Sequence, residues 1–192
     1  MAPGLERTVE RLAGQAAERY FGKYRGTVID NADPNRQGRI MAQVPGVLGE
    51  ASVGWALPAF PFAGDGHGMV MLPEVGSMVW IESDAGNLDY PIWSGAFFAG
   101  SERPDPNNTG ARTIVSVTGH KVVLDDDAGK LVVEHAQGAK LEMTATEITL
   151  EVGASKIVLG PTSITFNNGV LKVGAAGVSL AQGAMTLGVP PT

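Results

Sequence analysis

The sequence predicts an all-β chain, and three observations carry that reading. Its 192 residues include 26 Gly and 12 Pro with 44% hydrophobic residues, a composition of many short strands and turns rather than long helices. Near the end, ITFNNGVLKVGAAGVSLAQGAMTLG repeats apolar pairs with a period of seven: Ile164/Phe166, Leu171/Val173, Val178/Leu180 and Met185/Leu187, with Ile157/Leu159 one step upstream. A spacing of two puts both side chains on one face of a strand, whereas a coiled coil needs alternating spacings of three and four. The pattern also changes near residue 23 and again near residue 101, which divides the chain into parts.

Residues 1–23 form the first part. Leu5, Val9, Leu12, Ala16 and Tyr20 recur at spacings of four, three, four and four, one apolar stripe on a short amphipathic helix over residues 4–21. Packing on its own domain and docking to a partner both account for such a stripe. Residues 24–100 then alternate as strands broken by turn chemistry: YRGTVID, NADPNRQG, RIMAQVP, GSMVWIES, DAGN and PIWSGAFF. Eight aromatic side chains here (Tyr24, Trp55, Phe60, Phe62, Trp80, Tyr90, Trp93 and Phe97) are expected to fill a core. That length and aromatic load fit a five- or six-stranded OB-like barrel. Residues 101–112, SERPDPNNTGAR, hold one alanine and two prolines as their only apolar residues and read as a linker.

Residues 113–192 carry about ten short strands, from TIVSV through HKVVLD, KLVVE, KLEMT, EITLE, KIVLG, SITFN, VLKVG and VSLA to AMTL. Each offers two or three apolar residues on one face. Such a ribbon cannot bury that face alone. One chain coiled into its own β-helix would make little more than three turns with two exposed ends. Three chains wound into a β-helix would place one strand from each on every layer, and at about 4.8 Å per layer ten layers give a prism roughly 45 Å long. The expected trimer core is Ile157, Leu159, Ile164, Phe166, Leu171, Val173, Val178 and Leu180. Burial of such a side chain is worth roughly 1.5–3 kcal/mol, and about twenty positions per chain are involved.

Charge and composition exclude several classes. The net charge is −6, with seven basic and eleven acidic residues in the first hundred positions and seven and nine thereafter. Neither part offers the basic surface that a phosphate backbone requires, so nucleic acid is not an expected partner. There is no cysteine and no apolar run long enough to span a bilayer. The first residues mix acidic with basic side chains and do not resemble a secretory signal, so assembly in the cytoplasm is expected.

No constellation reads as a catalytic, cofactor or metal site. GDGHG (Gly64 to Gly68) has glycines that could cradle an anion, but no helix pattern follows, and it reads as a plain loop. DDDAG (Asp125 to Gly129) lacks the spaced ligands of a calcium loop and reads as a turn between strands. His120 and His135, with Glu134 nearby, have no accompanying nucleophile or oxyanion motif and read as solvated surface residues.

The motifs GRIMAQVPG, GWALPAFPFAGDGHG, LPEVGSMVWIESDAGNLDYPIWSG and TGHKVVLDDDAGK, in this order, resemble the spike proteins of contractile phage tails and related injection systems. The nearest type is the baseplate assembly protein V family, similar also to the core of type VI secretion valine-glycine repeat spikes. The resemblance covers residues 24 to about 175. It implies a homotrimer with an OB-fold collar and a β-helical needle at the front of a contractile tube, part of a phage-tail-like particle. The needle would pierce the target envelope when the sheath contracts, meet the target membrane only transiently, and plug the tube end.

Two departures matter. Some relatives insert a cell-wall hydrolase between barrel and needle, and the short linker leaves no room for one. Some phage spikes end in an iron-binding His-x-His pair, whereas the histidines here are His67, His120 and His135. The end, GAMTLGVPPT, suits instead a separate PAAR-type cap protein. Met185 and Leu187 would close the last layer, and Val189, Pro190 and Pro191 would stop further pairing because proline lacks a donor. The N-terminal helix and barrel surface are expected to dock onto a hub protein at the tube end. A non-enzymatic structural spike is thus the expected function, against a cell-wall hydrolase component, which needs paired carboxylates in a cleft, and an OB-fold binding module, which needs a basic groove with exposed aromatics.

Overall fold

The structure is a computed structural model that describes residues 4, 6–10, 14, 19–106 and 108–180 in full and residues 185–188 by their backbone. Its contacts divide the chain into two compact units, Met1–Glu102 and Arg103–Thr192. In the first unit residues 4, 6–10 and 14 are helical, while Leu5, Leu12 and Ala16 of the apolar stripe lie outside the described residues. The helix does not reach residue 21, since residues 19–23 are non-helical. That stretch is tied down instead: the Tyr20 amide donates to the Gly86 carbonyl at 2.9 Å, and the Arg19 guanidinium donates to the Ala85 carbonyl.

The first unit is built from β1 (Tyr24–Asp30), β2 (Met41–Gln43), β3 (Leu57–Pro58), β6 (Met78–Asp84) and β7 (Asn87–Phe97), with a small hairpin of β4 (Ala63–Gly64) and β5 (His67–Gly68). Its five-stranded sheet has the order β2-β1-β6-β7-β3, antiparallel except for the parallel pair β3/β7. Two further bridges, Ile40 to Ala56 and Gln43 to Ser52, join the β2 side to the chain leading into β3. The sheet thereby closes into a barrel and loses its open edges.

A barrel this small takes small and aliphatic residues inside. Val28, Ile40, Ala42, Val44, Val53, Ala56, Val79, Ile81 and Trp93 form the buried core, none more than 5% exposed. Gly26 faces the same interior, where a Cβ would come within 3.1 Å of the Ile81 side chain and 3.3 Å of the Gln43 carbonyl. The short helix α1 (Pro45–Leu48) leaves Val47 and Leu48 packed against this core.

The expected aromatic core is corrected here. Of the eight aromatic residues only Trp93 is buried, its indole donating to the Gly38 carbonyl at 3.0 Å. Tyr24 and Phe60 pack against the core from its rim, while Phe62 and Tyr90 are 55% and 64% exposed. Trp80 lies between inward-facing Val79 and Ile81, so strand alternation turns it outward, where it stacks on Phe97 at 4.7 Å beneath the Arg25 guanidinium.

The turn NADPNRQG is organised by one carboxylate. Asp33 accepts from the amides of Asn35, Gln37 and Arg39 and, at 3.0 and 2.6 Å, from the Arg39 guanidinium. Arg39 also lies over the Trp55 ring. The Arg39 pairing, and then the three amides, hold the Asp33 carboxyl far below the usual carboxylate range against the opposing effect of desolvation.

The second unit is a single sheet of ten strands, β8 (Ala111–Val115), β9 (Lys121–Asp125), β10 (Lys130–Glu134), β11 (Lys140–Met143), β12 (Ile148–Val152), β13 (Ser155–Leu159), β14 (Ser163–Phe166), β15 (Leu171–Gly174), β16 (Gly177–Leu180) and β17 (Met185–Gly188). Every strand pairs antiparallel with its sequence neighbours. The chain therefore does not coil into its own β-helix, in which a strand would pair with one a full turn away. β8 begins at Ala111, inside the stretch that reads as a linker.

Candidate functional site: an uncovered apolar sheet face

In an antiparallel pair, residues directly opposite one another share a face, so register decides which side chains gather. Ile157 faces Phe166 and Leu159 faces Ile164; Ile164 faces Val173 and Phe166 faces Leu171; Leu171 faces Leu180 and Val173 faces Val178. All eight residues of the sequence-derived set thus stand on one face. The backbone register continues this row with Val178 opposite Leu187 and Leu180 opposite Met185. The side chains of Met185 and Leu187, and all of Val189, Pro190 and Pro191, lie outside the described residues.

The same face extends to the other end of the sheet. Ile148 and Leu150 oppose Leu159 and Ile157, Leu141 and Met143 oppose Leu150 and Ile148, and the row passes through Leu131, Val133, Val122 and Leu124 to Ile114. These upstream residues share the spacing of two, but successive pairs from Val122/Leu124 to Leu141/Met143 are nine or ten residues apart because the turns are longer. The seven-residue period marks only the tightly turned part.

Within one chain this face is uncovered. Leu124, Val133, Leu150, Leu159, Ile164 and Val173 are 46, 40, 43, 38, 39 and 39% exposed. Among the described side chains the apolar row runs across the nine strands β8 to β16, where soluble monomers present small patches, and each side chain withdrawn from water contributes roughly 1.5–3 kcal/mol. Such a face is suited to packing against other apolar surface.

The opposite face is polar. Lys121, Glu134, Lys140, Glu151 and Lys156 stand directly opposite one another on β9 to β13, a row of alternating charge. Lys140 also pairs with Glu142 at 2.6 Å, and this pairing, aided by Lys130 and Lys156, lowers the Glu142 carboxyl below its usual value. Beneath the charged heads Val123, Val132 and Thr149 are buried at 6, 7 and 7% exposure, shielded in part by lysine and glutamate stems.

The motifs weighed for chemistry resolve into turns. Asp65 and Gly66 are the turn of the β4/β5 hairpin. Asp125 ends β9 and accepts from the Ala128 amide at 3.0 Å, closing the turn into β10. His120 and His135 lie edge to face at 4.4 Å, and the Nδ1 of each accepts a backbone amide, from Ala136 and Gln137 respectively. Among the described residues no three His, Asp or Glu side chains gather as a metal-ligand set.

A closed barrel followed by a sheet with one uncovered apolar face is the build of a structural, oligomerising domain pair. Residues 24–98 match the type VI secretion system/phage-baseplate injector OB domain, and residues 112–172 match the phage baseplate V C-terminal trimerisation domain. The chain belongs to the phage baseplate V family of injector spikes. No curated protein matches the chain. The family assigns a structural baseplate role in a tail-like particle, and its trimerisation domain supports a homotrimer.

Proposed function

We propose that the protein is the central spike of a contractile injection system or phage tail baseplate, a homotrimer that pierces the target envelope and plugs the tube end, with no chemistry of its own. The observation that carries this reading is the apolar face running across the sheet and left exposed in one chain. Three such sheets turned toward a common axis cover all three faces and leave the Lys/Glu face in water. Ile157, Leu159, Ile164, Phe166, Leu171, Val173, Val178 and Leu180 form the lower core of that prism. The backbone of β17 is the last described edge of the sheet, and an open edge accepts another chain. A PAAR-type cap engaging Met185, Leu187, Val189, Pro190 and Pro191 would cover it, and a hub at the tube end would receive the N-terminal segment and barrel.

Electron microscopy of native particles bearing a tagged chain tests the assignment. Label on the tube axis at the baseplate end is expected; label along the sheath, or particles complete without the chain, would remove it.

A further inference from the structure

A second apolar surface lies on the barrel unit. Residues 59–75, AFPFAGDGHGMVMLPEV, carry only Asp65 and Glu74 as charged residues. They leave Phe62, Met69, Val70, Met71 and Val75 exposed by 55, 38, 67, 51 and 59%. The segment is nevertheless a built strap. At one end Phe60 packs edge-on against Trp93 at 5.5 Å, and at the other the Asn31 side chain donates to the Pro73 carbonyl at 3.0 Å. Its two arms are joined by the Met69 amide donating to the Phe62 carbonyl at 3.1 Å. At the tip Gly66 takes a φ of +72°, a backbone conformation that favours glycine. The strap curls around a groove of about 670 Å³ walled mostly by its own residues, among them Phe60 and Val70, with Gln37, Leu57 and Pro58 completing the border.

We infer that this strap is a clamp between barrels, seated in the groove of a neighbouring copy of the same chain in the trimer. The inference rests on the trimeric reading above. An apolar projection and an apolar groove on one unit form a head-to-tail pair, which closes into a ring when the rotation suits, here at three. The scarcity of charge fits the apolar core of a homo-oligomeric interface better than an electrostatically steered encounter with a different protein. The barrel and trimerisation matches are separated only by residues 99–111. At about 3.4 Å per extended residue this tether reaches at most roughly 45 Å, so the three barrels meet at millimolar effective concentration.

The chain has no cysteine, so a single introduced thiol reports on one position. Val70→Cys and, independently, Phe62→Cys are made in the full-length chain, with Ala51→Cys, on the exposed turn after α1, as reference. Thiol labelling of the isolated protein is timed while its mass is measured. A clamp predicts a trimer in which thiols at 70 and 62 react roughly tenfold or more slowly than at 51. A trimer whose three thiols react alike overturns the clamp and leaves the trimeric reading standing, and protection that appears only inside native particles assigns the strap to a different baseplate protein. A single-copy mass for all three variants removes both readings.

Discussion

The two units bury apolar residues in opposite ways. The barrel encloses Val28, Ile40, Val44, Val79 and Ile81 at 0–2% exposure within one chain. The ten-stranded sheet has Ala111, Val123 and Val132 as its only buried apolar residues among those described, while its apolar row from Leu124 to Val173 stays open. Closure makes the difference. The barrel finds its last partner through the Ile40–Ala56 bridge, whereas the meander pairs every strand with its neighbours and never returns on itself. The barrel carries its stability with it, and the sheet must take its stability from other copies.

The largest effect that would break this comparison is a charge on the open face. Phe166→Asp is expected to abolish the oligomer and the amide-exchange protection of β12 to β17 while leaving the barrel amides protected. A carboxylate enclosed without a partner costs more than the site can return. Retained protection in both units would mean that the face is not covered.

Next in size is a cavity in the closed core. Ile81→Ala removes a side chain 2% exposed and is expected to lower barrel stability by about 2–5 kcal/mol. Calorimetry of the full-length variant checks this. A loss well under about 1 kcal/mol would mean that the barrel interior is not closed around this side chain.

Alternation is a local property, so strand spacing and the shared face of Ile157 through Leu180 are legible in the sequence. Turn chemistry is local as well: DDDAG reads as a turn between strands, and residues 126–129 are that turn, whereas GDGHG reads as a plain loop and instead forms the tip of the β4/β5 hairpin. The barrel interior was less legible. Which side of a strand faces inward is set by long-range closure, and the Ile40–Ala56 bridge has no signature in its neighbours. Counting aromatics therefore placed Phe62 and Tyr90 inside, although both are more than half exposed. The clustering of charge around Asp33 was equally hidden, since it depends on the fold of the turn rather than on composition.

A smaller effect sharpens the barrel side. Because the folded Asp33 carboxyl is lowered from its ordinary value of 3.8, its contribution is fully present above that value and is lost as pH falls below it. The barrel melting temperature should therefore drop between pH 5 and roughly pH 2. Asp33→Asn should start lower at neutral pH and show a shallower dependence; an identical pH profile would remove Asp33 from the account. Smallest of all, Lys140→Ala on the charged row should change sheet stability by less than about 1 kcal/mol, and less still in high salt, because the pair with Glu142 is partly exposed. A larger loss would move that face from solvent into an interface.

The most direct test of the central claim, that the sheet unit is completed only by copies of itself, is the mass of the purified full-length chain by light scattering across a dilution series. Three times the chain mass of 19.9 kDa is expected at every concentration at which the sheet amides remain protected from exchange. A single-copy mass with those amides still protected would contradict it.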